Sequence, residues 1–204
     1  MHGAAGREFL GYTFSMEIGI WGDSITYGAG DIEALGWVGR LRKLLEKNDD
    51  VSLYNFGICG DTTDDLLKRF SVEADAIKPN IIVFAIGIND SKYPVGETEN
   101  VISLEKYKQN MRELLKLAKN YTDKVVIVGA TKADEALTRK SGTRFVNAVI
   151  QTYNNFLKEF SESEDLTFVD VFDVLDVNAD LDDGLHPNAQ GYGKLFGMIK
   201  NFVK

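Results

Sequence analysis

Met16-Glu17-Ile18-Gly19-Ile20-Trp21-Gly22-Asp23-Ser24-Ile25-Thr26-Tyr27-Gly28 is the stretch from which the rest of the chain can be ordered. Residues 16–21 are a largely apolar run of strand length, read as a short buried strand. Gly22-Asp23-Ser24 then breaks that strand with turn-prone residues and leaves a serine near its carboxyl end. Taken alone, such a serine is equally well a helix cap or a turn former. Its reading depends on what the remaining chain brings to the same place.

From Met16 onward, apolar runs alternate with helical patterns. Residues 37–45 repeat Trp37, Val38, Leu41, Leu44 and Leu45 on one helical face. Residues 51–56 give a second strand. Thr62 or Thr63 caps a helix carrying Leu66, Leu67 and Phe70. Pro79 ends that segment before residues 81–87, an apolar, β-branched run expected at the centre of a sheet. Ser103 caps a helix expected to run to Tyr121, residues 124–130 are a fourth strand, and residues 145–160 another helix. Residues 166–172 are a fifth strand, and Pro187 suits the first position of a last helix ending near Phe202. Five strands, each followed by a helix, imply a parallel sheet covered on both faces. The expected fold is therefore α/β: a three-layer α/β/α, flavodoxin-like domain with sheet order 2-1-3-4-5.

The composition fits one domain, with 204 residues, 44% of them hydrophobic and 26% charged. A net charge of −8 argues against nucleic acid or an anionic membrane as partner, since both reward clustered Lys and Arg. The single cysteine, Cys59, excludes an intrachain disulfide. No apolar run is long enough for a transmembrane helix. Residues 1–15 are rich in Gly and Ala, lack periodicity and lack the apolar centre of a secretory signal. They are read as an N-terminal extension, or as a remnant before a natural start at Met16, with the domain covering 16–204. A cytoplasmic location is the corresponding expectation.

In an open parallel sheet, ligands bind outside the carboxyl ends of the strands. Gly22-Asp23-Ser24 follows strand one, Gly57-Ile58-Cys59-Gly60-Asp61-Thr62 strand two, Gly87-Ile88-Asn89-Asp90 strand three, and Asp183-Gly184-Leu185-His186-Pro187 strand five. Serine needs a base within hydrogen-bond reach, usually histidine. His2 lies in the N-terminal extension, which leaves His186. A carboxylate must hold the imidazole tautomer, and Asp183 stands three residues before it, a spacing that brings two side chains together in a turn. An oxyanion needs donors, and three are available: the backbone N–H groups of Ser24 and Gly60 and the side-chain amide of Asn89. Singly, Gly60 is a turn glycine, Asn89-Asp90 a loop former and Asp183 a solvated acid; jointly they describe an acyl-transfer site.

Gly-Asp-Ser, Gly60 before Asp-Thr, Gly-x-Asn-Asp and Asp-x-x-His-Pro, in that order, resemble the SGNH hydrolases, also called GDSL esterases and lipases. The resemblance implies Ser24 as nucleophile, Asp183 and His186 as triad partners, and Ser24, Gly60 and Asn89 as the oxyanion hole. It implies a flavodoxin-like fold and no metal or organic cofactor. Ile25 replaces the leucine of the name motif, a conservative apolar exchange. The expected partner is a small-molecule ester: short-chain acyl, acetyl or lysophospholipid-like, with carbohydrate O-deacetylation as the alternative. Oligomeric state is not readable.

Three other readings compete. Gly28-Ala29-Gly30 after strand one suits a phosphate or nucleotide module, although no phosphate-loop or dinucleotide fingerprint is present. Asp23, Asp90, Asp183 and His186 could bind a metal. Cys59 as nucleophile is expected to lie in a buried turn without a histidine of its own. Residues 91–100 and 132–144 are polar segments placed to rim the site or move over it.

Overall fold

The computed structural model describes residues 16–47, 50–140 and 142–203; the N-terminal extension and His2 lie outside the described residues. The strands are β1 (Met16–Gly22), β2 (Val51–Gly57), β3 (Ile81–Ala85), β4 (Val125–Val128) and β5 (Thr167–Val169). The helices are α1 (Ser24–Tyr27), α2 (Gly36–Leu45), α3 (Thr63–Ile77), α4 (Ile88–Ser91), α5 (Leu104–Ala118), α6 (Glu135–Lys140), α7 (Asn147–Ser163) and α8 (Ala189–Ile199). All strand pairs are parallel, in the order β2-β1-β3-β4-β5.

The two-residue period of the strands divides the core into two layers. Trp21, Ile82, Phe84, Val125 and Ile127 face one side, against Leu66 and Phe70 of α3, Met111 and Leu114 of α5, and Tyr153 and Phe156 of α7. Ile18, Ile20, Val83, Val126 and Val128 face the other, against Trp37 and Leu41 of α2 and Tyr192 and Leu195 of α8. Strands buried on both faces have no polar alternation, which is why β3 and β4 read as continuous apolar runs.

Element ends depart from the sequence reading for identifiable reasons. β3 stops at Ala85 because Gly87 turns to φ 135°. The last helix starts at Ala189: the Asn188 side chain caps it by accepting from Gly191 N–H at 3.1 Å, while Pro187 pairs with Leu181 in an antiparallel bridge. Residues 132–144, expected as loop, contain α6. Of the two cap candidates, Thr62 caps α3, in a capping box with Asp65. At the sheet edge, β2 meets α1 so closely that a Cβ on Gly57 would stand 2.3 Å from Tyr27 N.

Candidate active site

The nucleophile candidate sits on a short turn of helix. Asp23 leaves β1 with extended backbone, and its Oδ1 accepts from Ile25 N–H at 2.9 Å, capping α1. Ser24 is the first helical residue and is 6% exposed. Gly28, at φ 102°, closes the turn in the left-handed region that favours glycine. Gly28 N–H and Ala29 N–H both donate to Ser24 C=O, and Tyr192 Oη–H donates to Ala29 C=O. The amides of Gly28 and Ala29 are thus used inside the turn, which takes two of the donors that a phosphate-binding reading needs.

The acid and base stand in the connection from β5 to α8. Asp182 N–H donates to His186 C=O and Asn188 N–H to Asp180 C=O, both at 2.8 Å, knotting residues 180–188 around the Leu181–Pro187 bridge. Asp180 is fully buried and anchors the knot: it accepts from Asp176 N–H at 2.7 Å, Gln190 Nε2 at 3.1 Å and Lys194 Nζ at 2.6 Å. Within the knot, Asp183 Oδ1 accepts from Leu185 N–H at 3.0 Å and from His186 N–H at 2.8 Å. Its Oδ2 lies 2.7 Å from His186 Nδ1, and His186 Nε2 lies 2.9 Å from Ser24 Oγ. Burial pushes the Asp183 carboxyl up, but the hydrogen bonds from His186 and Leu185 outweigh it and hold it below the usual carboxylate range. An ionised Asp183 selects the Nδ1–H tautomer, which leaves Nε2 as an acceptor for the serine proton.

On the other side of Ser24, Gly60 takes φ 86° and has nothing within 4 Å of where a Cβ would stand. Its loop is fixed from below. Ile58 N–H donates to Gly22 C=O at 3.1 Å, and Arg69 of α3 donates to Gly22 C=O, Phe56 C=O and Asp61 Oδ2 at 3.2, 2.9 and 2.8 Å. One guanidinium therefore ties the ends of β1 and β2 to the Gly60 loop. Asn89 is buried and its Nδ2 donates to Asp61 C=O at 3.1 Å. Asp90, wholly buried, accepts from Thr63 N–H and Oγ1–H, and Asn110 Nδ2 donates to Thr63 Oγ1. Burial pushes Asp90 up to about 6 and Asp23 up to about 7.

The structure thus brings Ser24, Asp183 and His186 into one relay and places Gly60 and Asn89 on strand ends beside it. The sequence reading missed Arg69, whose Glu73 partner four residues on looks like an ordinary helix surface pair. It also missed the scaffold role of Thr63 and Asp90. Cys59 is exposed, contrary to the buried turn expected for it, and the imidazole of His186 is engaged by Ser24. Among the described residues, no group of three or more His, Cys, Asp and Glu side chains is placed to hold a metal. Asp23, Asp90 and Asp183 are each turned to hydrogen bonds of their own. The two polar segments form one wall: Tyr93 and Arg144 pair as an antiparallel bridge, with the guanidinium 4.2 Å above the ring, and Asp134 N–H donates to Gly184 C=O at 2.8 Å.

Residues 20–194 match the model of the GDSL-like Lipase/Acylhydrolase family. The chain belongs to that family. It is a GDSL-type carboxylic ester hydrolase. A multidomain esterase of Ruminococcus flavefaciens is 27% identical over 165 residues, covering 78% of this chain and 17% of that protein. Two solved structures share the GDSL fold. A lipase/acylhydrolase from Enterococcus faecalis aligns with a TM-score of 0.75 at 24% identity, covering 93% of this chain and 97% of the other. A catalytic mutant of Axe2, an acetylxylan esterase from Geobacillus stearothermophilus, aligns with a TM-score of 0.74 at 20% identity, covering 94% and 96%. No helix among the described residues is long and apolar enough to cross a membrane.

Proposed function

We propose that residues 16–204 form a serine esterase in which Ser24 is the nucleophile, His186 the base and Asp183 the residue that orients and charges it. The observation that carries this reading is the continuous relay Asp183 Oδ2–His186–Ser24 Oγ, with spacings of 2.7 and 2.9 Å. Ser24 Oγ attacks the ester carbonyl, its proton passes to Nε2, and the carbonyl π pair moves onto oxygen. Ser24 N–H, Gly60 N–H and the second Nδ2 proton of Asn89 receive that oxyanion. Collapse re-forms the carbonyl and expels the alkoxide, which takes the proton from His186. Water, deprotonated by the same imidazole, then releases the acid and restores Ser24.

The preferred substrates are esters of short acyl groups, acetyl foremost. The clear space where a Cβ of Gly60 would stand supports close approach of an ester carbonyl to this backbone. Likeness to an acetylxylan esterase favours carbohydrate O-deacetylation as the specific form of the reaction. Hydrolysis of p-nitrophenyl esters from acetyl to palmitoyl tests both levels, with Ser24→Ala as control. The expected result is an acetyl or butyryl optimum, with a loss of about 10³-fold or more in Ser24→Ala. Release of acetate from acetylated xylo-oligosaccharides distinguishes deacetylation from general esterase activity. An optimum at palmitoyl would replace the short-acyl reading by a lipase, and a fully active Ser24→Ala would remove the serine mechanism.

A further inference from the structure

Lys92, the residue after α4, reaches back into the site: its Nζ donates to Asn89 Oδ1 at 3.1 Å. Its backbone is fixed as well, because Val101 N–H donates to Lys92 C=O at 2.9 Å. The opposite end of the Asn89 amide, Nδ2, donates to Asp61 C=O. An ammonium only donates and a carbonyl only accepts, so these two partners permit one orientation of the carboxamide. Reversed, the amide would set its oxygen against a carbonyl and its NH₂ against an ammonium. In the permitted orientation one Nδ2 proton goes to Asp61 and the second is left over.

The chain carries 31 acidic and 23 basic residues, yet among the described residues no carboxylate forms an ion pair with this lysine. A hydrogen bond from a cation to Oδ1 draws electron density away from the NH₂ group and strengthens it as a donor. The positive field also reaches Asp23 beneath Ser24, where it opposes the upward push of burial.

We propose that Lys92 is a positioning residue for ester hydrolysis: it locks Asn89 with a proton free for the oxyanion and polarises that donor. The inference rests on the Ser24 acyl-transfer reading. Charge on the carbonyl oxygen develops only on the way to the tetrahedral state, so Lys92 acts on kcat more than on KM.

The test is steady-state hydrolysis of p-nitrophenyl acetate by wild type, Ser24→Ala, Asn89→Ala, Lys92→Met, Lys92→Arg and the double variant Asn89→Ala/Lys92→Met. Removing an oxyanion donor outright costs about 10²–10³ in turnover, and a residue acting through that donor is expected to cost about ten-fold in kcat, with KM within about two-fold. Lys92→Arg, which keeps cation and donor, is expected to retain most of the activity. In the Asn89→Ala background the Lys92→Met change is expected to add nothing, because its route to the oxyanion is already gone. The proposal is overturned if Lys92→Met keeps wild-type kcat while Ser24→Ala is inactive, or if its loss persists undiminished in the Asn89→Ala background. A fully active Ser24→Ala removes the acyl-transfer reading itself, and the role of Lys92 with it. Should Lys92→Met fail to fold, Lys92→Gln supplies the neutral side chain for the same comparison.

Discussion

Ser24, Gly60 and Asn89 stand directly beyond the ends of three adjacent strands, whereas Asp183 and His186 stand in the long connection between β5 and α8. The carboxylates that support the two halves respond in opposite ways. At the sheet edge, burial pushes Asp23 up to about 7 and Asp90 up to about 6. In the connection, burial also pushes Asp180 and Asp183 up, but Lys194, the Asp176 N–H and Gln190 outweigh it at Asp180, and His186 and Leu185 outweigh it at Asp183. Edge residues are placed by sheet geometry and tolerate buried carboxyls that resist ionisation. The loop holds its shape through carboxylate oxygens that each accept from several donors: Asp176, Gln190 and Lys194 at Asp180, and Leu185 and His186 at Asp183. Position on the edge is therefore a property of the fold, and position in the loop a property of a few hydrogen bonds.

The largest effect is expected from Asp183→Asn. Asparagine keeps an oxygen to accept from Leu185 and His186 N–H, so the loop and the melting temperature should change little. The charge and the tautomer preference are lost, and kcat on p-nitrophenyl acetate should fall by about 10³–10⁴. A loss of less than about ten-fold would mean that the loop half needs its shape alone, and the contrast between the halves would reduce to packing.

Asp180→Ala strikes the same half from below. It leaves Asp176 N–H, Gln190 and Lys194 without their acceptor. Removing one partner of a buried ion pair costs about 3–5 kcal/mol, and because the Lys194 side chain is 42% exposed a smaller loss, about 2–3 kcal/mol, is expected. Native-state hydrogen exchange should accelerate at residues 181–188 and stay unchanged in β1 and β3. The folded pKa of Asp180 is depressed, so its stabilisation is present above the ordinary value of 3.8 and is lost as pH falls through the folded value. Wild type and variant should converge in acid, as followed by urea unfolding from pH 7 downward.

The same division explains what was legible in the sequence. Strand order and the residues at the strand ends could be read because apolar runs mark strands, and a parallel sheet delivers whatever follows them to one edge. Asp183 and His186 were legible as a pair because three residues suffice for a turn. The knot that aims them was not: Asp180 meets Lys194 and Gln190 from the next helix, and no local pattern announces it. Pro187 misled the helix start because proline at a first helical position and proline just before a capping Asn188 look alike in sequence. Arg69 and Lys92 were hidden for a similar reason, since a surface ion pair and a solvated lysine have the same local signature as a strut beneath the Gly60 loop and a lock on Asn89.

The smallest effect separates the halves most sharply, because it reverses the pH trend of Asp180. Asp23 is 2% exposed, and its carboxyl moves from an ordinary 3.8 to about 7 in the folded chain. Below 3.8 it is protonated in both states and contributes nothing. Between 3.8 and about 7 the unfolded chain ionises while the folded chain retains its proton, so stability falls with rising pH; above about 7 the penalty is constant. Asp23→Asn removes that penalty and keeps the cap, because asparagine serves equally well at this position and retains an oxygen for Ile25 N–H. The linkage ceiling is ~4 kcal/mol, and relaxation of a buried site brings the expected gain down to about 1–2 kcal/mol. Urea unfolding of variant and wild type should give a difference that grows from pH 4 to about 7 and then levels off. A difference independent of pH would show that Asp23 is ionised in the folded chain throughout. The edge half would then depend on charged, hydrogen-bonded carboxylates just as the loop half does.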